Sequence, residues 1–126
     1  RFGDNIFTVN VDSYERVEDF QCGLAAPHVV YVINVSRGRI TYPVKRRFSD
    51  IEKFLVYLKG KYPATKQPFP ALPPKTWFSV AGDDAFLTER VKLLQLCLND
   101  LLLTMHIEKI ITDEKLSEFL ELTPSI

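Results

Sequence analysis

At 126 residues the chain has the length of one domain and is long enough to bury one core. Its 46% hydrophobic and 25% charged composition is that of an ordinary globular protein. Sixteen Lys and Arg balance sixteen Asp and Glu, so the basic excess that duplex nucleic acid demands is missing and any anion must be met by local clustering.

No apolar run approaches the roughly 18 to 20 residues of a membrane span, and no basic-then-apolar leader opens the chain. Because it begins at Arg1 without a Met, residues 1–126 are expected to be a single domain excised from a longer protein. Two cysteines are too few for a disulfide framework. Cys97, within a Leu-rich helical pattern, reads as a buried reduced thiol, which points to a cytosolic compartment.

The first half has strand patterning. Phe7, Val9 and Val11 alternate with Thr8 and Asn10. Residues 12–27 lose that alternation and are expected to form a long connection, with a short extended stretch near Val17. From His28 to Ser36 the run is β-branched, with Val29, Tyr31, Ile33 and Val35 on one face. Ser36-Arg37-Gly38-Arg39 predicts a tight turn in which Gly38 supplies positive φ. Ile40, Tyr42 and Val44 continue a third strand, and Pro43, lacking an amide donor, puts it at an edge or a bulge.

The second half is helical. Ser49 or Asp50 is a candidate cap for a helix carrying Ile51, Phe54, Leu55 and Leu58, which should fail near Lys61-Tyr62 before Pro63. Five prolines between 63 and 82 predict an irregular excursion. Leu87, Val91, Leu94, Leu98 and Leu101 predict a long helix from about Asp83 to Thr104. His106 to Ile111 suits a short helical turn, and Thr112-Asp113-Glu114 opens a last helix bearing Leu116, Phe119 and Leu120. The expected class is α+β: a three-stranded antiparallel meander packed on a helical subdomain of three to four helices, with a Pro-rich loop between the first two helices.

Catalysis finds no support. His28 and His106 lie near no Cys, Asp or Glu at metal-ligand spacing, and no phosphate-loop, nucleophile-elbow or Cys-x-x-Cys motif occurs. The expectation is no catalytic residue, no metal and no cofactor.

Anion recognition fares better. Arg90 falls three residues after Leu87 and four before Leu94, within or beside the buried stripe. Either it pairs with Glu89, Asp83 or an acid of another element, or it reaches into a groove toward an anion or vicinal hydroxyls. Arg47 and Phe48 stand where the third strand hands over to the first helix. They form either a solvated strand end beside a core ring, or a guanidinium fork beside a flat wall. Pro70-Ala71-Leu72-Pro73-Pro74-Lys75 matches a P-x-x-P-x-basic ligand of SH3 domains, and equally a rigid wall that carries Lys75 toward a ligand. Trp77 and Phe78, in Thr76-Trp77-Phe78-Ser79-Val80, either tuck into the core or suit a membrane interface. Arg47, Lys75 and Arg90 with Phe48 supply three cations and a flat ring, the set a multiply phosphorylated sugar-like ligand needs.

This order of three strands, Arg46-Arg47-Phe48-Ser49-Asp50, a helix, Pro73-Pro74-Lys75 and a helix with an inward Arg resembles the phox-homology (PX) domain over essentially the whole chain. The resemblance implies that Arg47 holds a 3-phosphate and that Phe48, more often Tyr in the family, packs on the inositol ring. It implies Lys75 for the 1-phosphate and Arg90 for the 4- and 5-hydroxyls. The ligand it implies is phosphatidylinositol 3-phosphate on the cytosolic face of early endosomes. On the membrane-interface reading of the loop, Trp77, Phe78 and Val80 are expected to enter the bilayer. Ile51 departs from the Phe usual after the acid, at a core position.

Overall fold

The computed structural model describes residues 7–17, 20–21, 24–25, 28–75 and 83–122. Strand β1 (Thr8–Val17) pairs antiparallel with β4 (His28–Arg37), which pairs antiparallel with β5 (Ile40–Arg46), giving the sheet order β1-β4-β5. Between β1 and β4 lies a two-stranded hairpin of β2 (Phe20–Gln21) and β3 (Leu24–Ala25). Among the described residues three helices follow: α1 (Phe48–Lys61), α2 (Asp84–Ile107) and α3 (Glu114–Phe119).

The meander forms as its patterning predicts. β4 is central and apolar on both faces, with Val30 to Ile33 and Val35 buried. Gly38 has φ +61° at the hairpin tip, the left-handed region that a Cβ disfavours. β5 is an edge strand, and Pro43, opposite Asn34, is tolerated there because one side of the strand needs no amide donor.

The expected long connection from residue 12 is wrong in its first half. β1 shifts register between Val11 and Ser13 and then continues to Val17, opposite His28. Asp12 to Arg16 lack inward alternation because most of that stretch is exposed, and the central strand supplies its pairing.

The helix starts also differ in detail. Arg47, not Ser49 or Asp50, is the N-cap of α1. Asp50 sits at the third helical position and its carboxylate accepts from the Arg47 amide at 2.8 Å. Arginine carries no acceptor, so only that half of a reciprocal capping box forms. The helix ends at Lys61 as expected, with Tyr62 as C-cap. α2 begins on an Asp83 cap that accepts from the Phe86 amide at 3.0 Å. It runs on to Ile107, absorbing the start of the expected short helical turn, and the chain reverses at Lys109 with φ +62°. Nothing between Thr104 and Ile107 breaks a helix, and Met105 extends the buried stripe.

Two polar devices lock these elements together. The Gln95 side chain of α2 reads the edge of β1 like a strand: its amide oxygen accepts from the Val11 amide and its nitrogen donates to the Val9 carbonyl at 3.3 Å. Asp113, buried at the start of α3, accepts from Tyr57 at 2.9 Å and Tyr62 at 2.5 Å, and from the amides of Lys115 and Leu116. Burial pushes its carboxyl up, but these hydrogen bonds outweigh that and hold it below the usual carboxylate range. One core results, in which Ile33 and Val44 of the sheet, Leu58 of α1, Leu94 and Leu101 of α2 and Leu116 of α3 are all buried.

Candidate functional site

Three chain segments meet at the start of α1. Phe48 is its first residue, half-buried, and the Arg90 guanidinium lies over its ring at 3.8 Å. The Phe86 ring, one turn before Arg90 on α2, takes the same guanidinium at 4.8 Å. Arg90 is 6% exposed and its Nη2 donates to the Pro74 carbonyl at 2.5 Å. It therefore fixes the end of the Pro-rich segment directly before Lys75.

Among the described residues Arg90 makes no ion pair, so neither Glu89 nor Asp83 neutralises it. A buried cation is costly without compensation, and two ring faces and a carbonyl supply it here. An arginine has five N–H donors, and the Pro74 carbonyl accepts from one of them. Tyr31, buried beside it, has its hydroxyl pKa pushed up by burial, and the charge and hydrogen bonding of Arg90 pull it back.

Lys75 is on the open side of this cluster. Its side chain is 68% exposed and its Nζ lies 3.4 Å from Oε1 of Glu52 on α1. Arg47 is exposed, and among the described residues its guanidinium has no acid or hydrogen-bond acceptor. Its neighbour behaves oppositely. Arg46 donates to the carbonyls of Phe119 at 3.1 Å and Glu118 at 3.3 Å, pairs with Glu121 at 3.3 Å, and lies over the Phe119 ring. Arg46 is thus committed to closing the end of α3, as strand alternation separates it from Arg47. Lys45, too, is engaged, 2.9 Å from Glu15.

The structure therefore brings Phe48, Arg90 and the backbone before Lys75 into contact, and sets Arg47 at the edge of that group. Trp77, Phe78 and Val80 lie outside the described residues. Phe69 and Leu72 pack against the core, which ties the P-x-x-P run to the body of the protein. Phe86 and Glu52 were missed as neighbours, although each is four residues from a named residue on its own helix, Arg90 and Phe48. The Pro74 carbonyl is a backbone group with no sequence signal. Among the described residues no three His, Cys, Asp or Glu are grouped to hold a metal, and no helix is long and apolar enough to cross a membrane.

A three-stranded antiparallel meander on a helical subdomain, with cations and an aromatic ring where strand, Pro-rich segment and long helix converge, defines an α+β domain. The PX domain family profile matches residues 35–123, and the chain belongs to that family of phosphoinositide-binding modules, which are not enzymes. Among solved structures, a designed CISK-PX domain shares 27% identity at a TM-score of 0.73, covering 90% of this chain and 98% of that one. The mouse SNX19 PX domain, solved with a bound sulphate ion, has the same fold at 19% identity and a TM-score of 0.68, over 94% and 98%. No curated protein matches the chain significantly.

Proposed function

We propose that this chain is a membrane-targeting module that recognises phosphatidylinositol 3-phosphate and associates peripherally with the cytosolic face of early endosomes. Arg47 takes the 3-phosphate, Phe48 packs on the inositol ring, Lys75 takes the 1-phosphate and Arg90 bonds the 4- and 5-hydroxyls. The observation that carries this assignment is the state of the four groups in the free protein. Among the described residues Arg90 is buried without an acid, stacked on Phe48, and holds the backbone beside Lys75, while Arg47 is exposed and has no side-chain partner.

Charge-assisted hydrogen bonds contribute roughly 1.5 to 3 kcal/mol each, so three cations support about micromolar binding after ordering costs. Stable recruitment then needs a second contribution, which we assign to Trp77, Phe78 and Val80 entering the bilayer. Buried aromatics of about 150 to 250 Å² each, at about 25 cal/mol per Å², supply several kcal/mol at full insertion. Changing Trp77 and Phe78 together to Ala is expected to weaken vesicle binding on the order of 100-fold, at partial insertion. Affinity for a soluble headgroup should stay as it was. Joint loss of thermal stability and headgroup affinity would instead place both rings in the core.

Sedimentation with vesicles that each contain one phosphoinositide tests the lipid assignment: the 3-phosphate vesicles should pull down the protein and the 4-phosphate ones should not. Capture of Pro70-Lys75 by an SH3 domain is the weaker reading. Phe69 and Leu72 are packed on the core and the Pro74 carbonyl is engaged by Arg90, which weighs against a freely presented polyproline helix.

A further inference from the structure

One charged group at the site opposes anion binding. Glu52 follows Phe48 by four residues on α1, so the two side chains are neighbours on one helix face. Its Oε1 is 3.4 Å from Lys75 Nζ, and its side chain is 37% exposed. Asp50, the other acid of that helix start, is already engaged by the Arg47 amide at 2.8 Å. Glu52 is therefore an acid that borders both the proposed ring wall and the proposed 1-phosphate cation.

Stability does not explain it, because exposed pairs of this length add little. We infer that Glu52 is a selectivity residue. In the free protein it holds Lys75, and in the complex its charge weakens binding in proportion to the charge of the headgroup. The role assigned to Glu52 rests on the headgroup site formed by Arg47, Phe48, Lys75 and Arg90. A carboxylate about 7 Å from a ligand charge, across mostly aqueous surroundings, weakens binding by roughly threefold per unit charge. A headgroup phosphorylated at the 3-position alone meets a modest penalty. Extra phosphates at the 4- and 5-positions multiply it, so the acid narrows the site toward singly phosphorylated inositol lipids.

The test is calorimetry with short-chain, water-soluble phosphatidylinositol 3-phosphate and its 3,4,5-trisphosphate counterpart, on the wild-type chain and on Glu52→Gln. The variant keeps the size of the side chain and removes its charge. A phosphate monoester carries about 1.5 to 2 charges. The variant should therefore bind the 3-phosphate roughly five- to tenfold tighter and the trisphosphate tighter by roughly a further tenfold or more, and the preference between them shrinks. Raising the salt from about 0.1 M toward 1 M should narrow the gap between wild type and variant, since the screening length falls from about 10 Å to about 3 Å, well inside the separation assumed. Glu52→Ala should behave in the same direction, which guards against a peculiarity of the amide. Unchanged affinities, or an equal gain for both lipids, overturn the role of Glu52 while leaving the headgroup site standing. If the wild-type chain binds neither lipid, the headgroup site itself fails, and the role of Glu52 with it.

Discussion

Arg47→Ala is expected to reduce binding to phosphatidylinositol 3-phosphate vesicles to background, a loss of several hundred-fold or more, without lowering the thermal midpoint. A guanidinium forks two charge-assisted bonds to a phosphate, each worth roughly 1.5 to 3 kcal/mol, and the 3-phosphate carries the greatest local charge of the ligand. The fold contributes little to holding Arg47. Its amide is bonded by Asp50, and alanine preserves that bond, while among the described residues its guanidinium has no partner. Arg46→Ala should give the reverse pattern. That change frees the carbonyls of Glu118 and Phe119 and removes the pair with Glu121, at a cost of about 1 to 3 kcal/mol in stability. Vesicle binding would survive it at temperatures where the protein stays folded. If Arg46→Ala abolishes binding and Arg47→Ala does not, the phosphate is held by the wrong arginine in this account; equal losses would mean a diffuse basic patch.

Asp113→Ala is expected to be the most destabilising single change, at about 3 to 5 kcal/mol, because it strands partners instead of removing an isolated contact. Its carboxylate joins Tyr57 and Lys61 of α1, Tyr62 just beyond it and two amides of α3. Without it the first turn of α3 is uncapped and two phenol hydroxyls lose their acceptor. For a chain of this size that stability loss lowers the midpoint by about 10 to 20 °C in a melting experiment. A drop of under about 3 °C would show that the network adds little.

The same carboxylate sets an acid limit. A group whose folded pKa lies below its unfolded value, near 4 for Asp, stabilises fully above that value and loses the contribution as pH falls through the folded pKa. Asp84 is lowered as well, first by the Tyr14 hydroxyl and then by Arg16, and acts in the same direction. Denaturant midpoints measured from pH 7 downward should therefore fall mainly below about pH 4, and the fall should be shallower in Asp113→Ala. A flat profile to pH 3 would contradict this.

Much of this was legible in the chain itself. Period-two alternation at Val9 and Val11, the β-branched run to Ser36, Gly38 and Pro43 together specify the meander and its edge. The Leu stripe specifies α2. What stayed hidden was whatever depends on partners rather than on periodicity. The exposed second half of β1 pairs because β4 presents a complete strand, and the short β2-β3 hairpin carries too few residues to show a period. The α1 cap was misplaced by two or three residues, since Asp50 works from the third helical position rather than the first. At the site, Arg90 stood out as a cation in an apolar stripe. Its setting between two rings and a prolyl carbonyl followed only from the packing of three segments. Likewise, adjacent Arg46 and Arg47 look equivalent in sequence, and only the position of the α3 terminus divides their tasks.

The central claim is that one site, formed by Arg47, Phe48, Lys75 and Arg90, receives a 3-phosphorylated inositol headgroup. Nuclear magnetic resonance of the isotope-labelled chain, titrated with short-chain phosphatidylinositol 3-phosphate, tests it most directly. The account predicts saturable shifts concentrated on the amides of Arg47 and Phe48, on Lys75 and on the Arg90 side chain, and weaker, unsaturated shifts with the 4-phosphate isomer. Saturable shifts centred instead on the hairpin tip from Arg37 to Ile40, or equal responses to the two isomers, would contradict it.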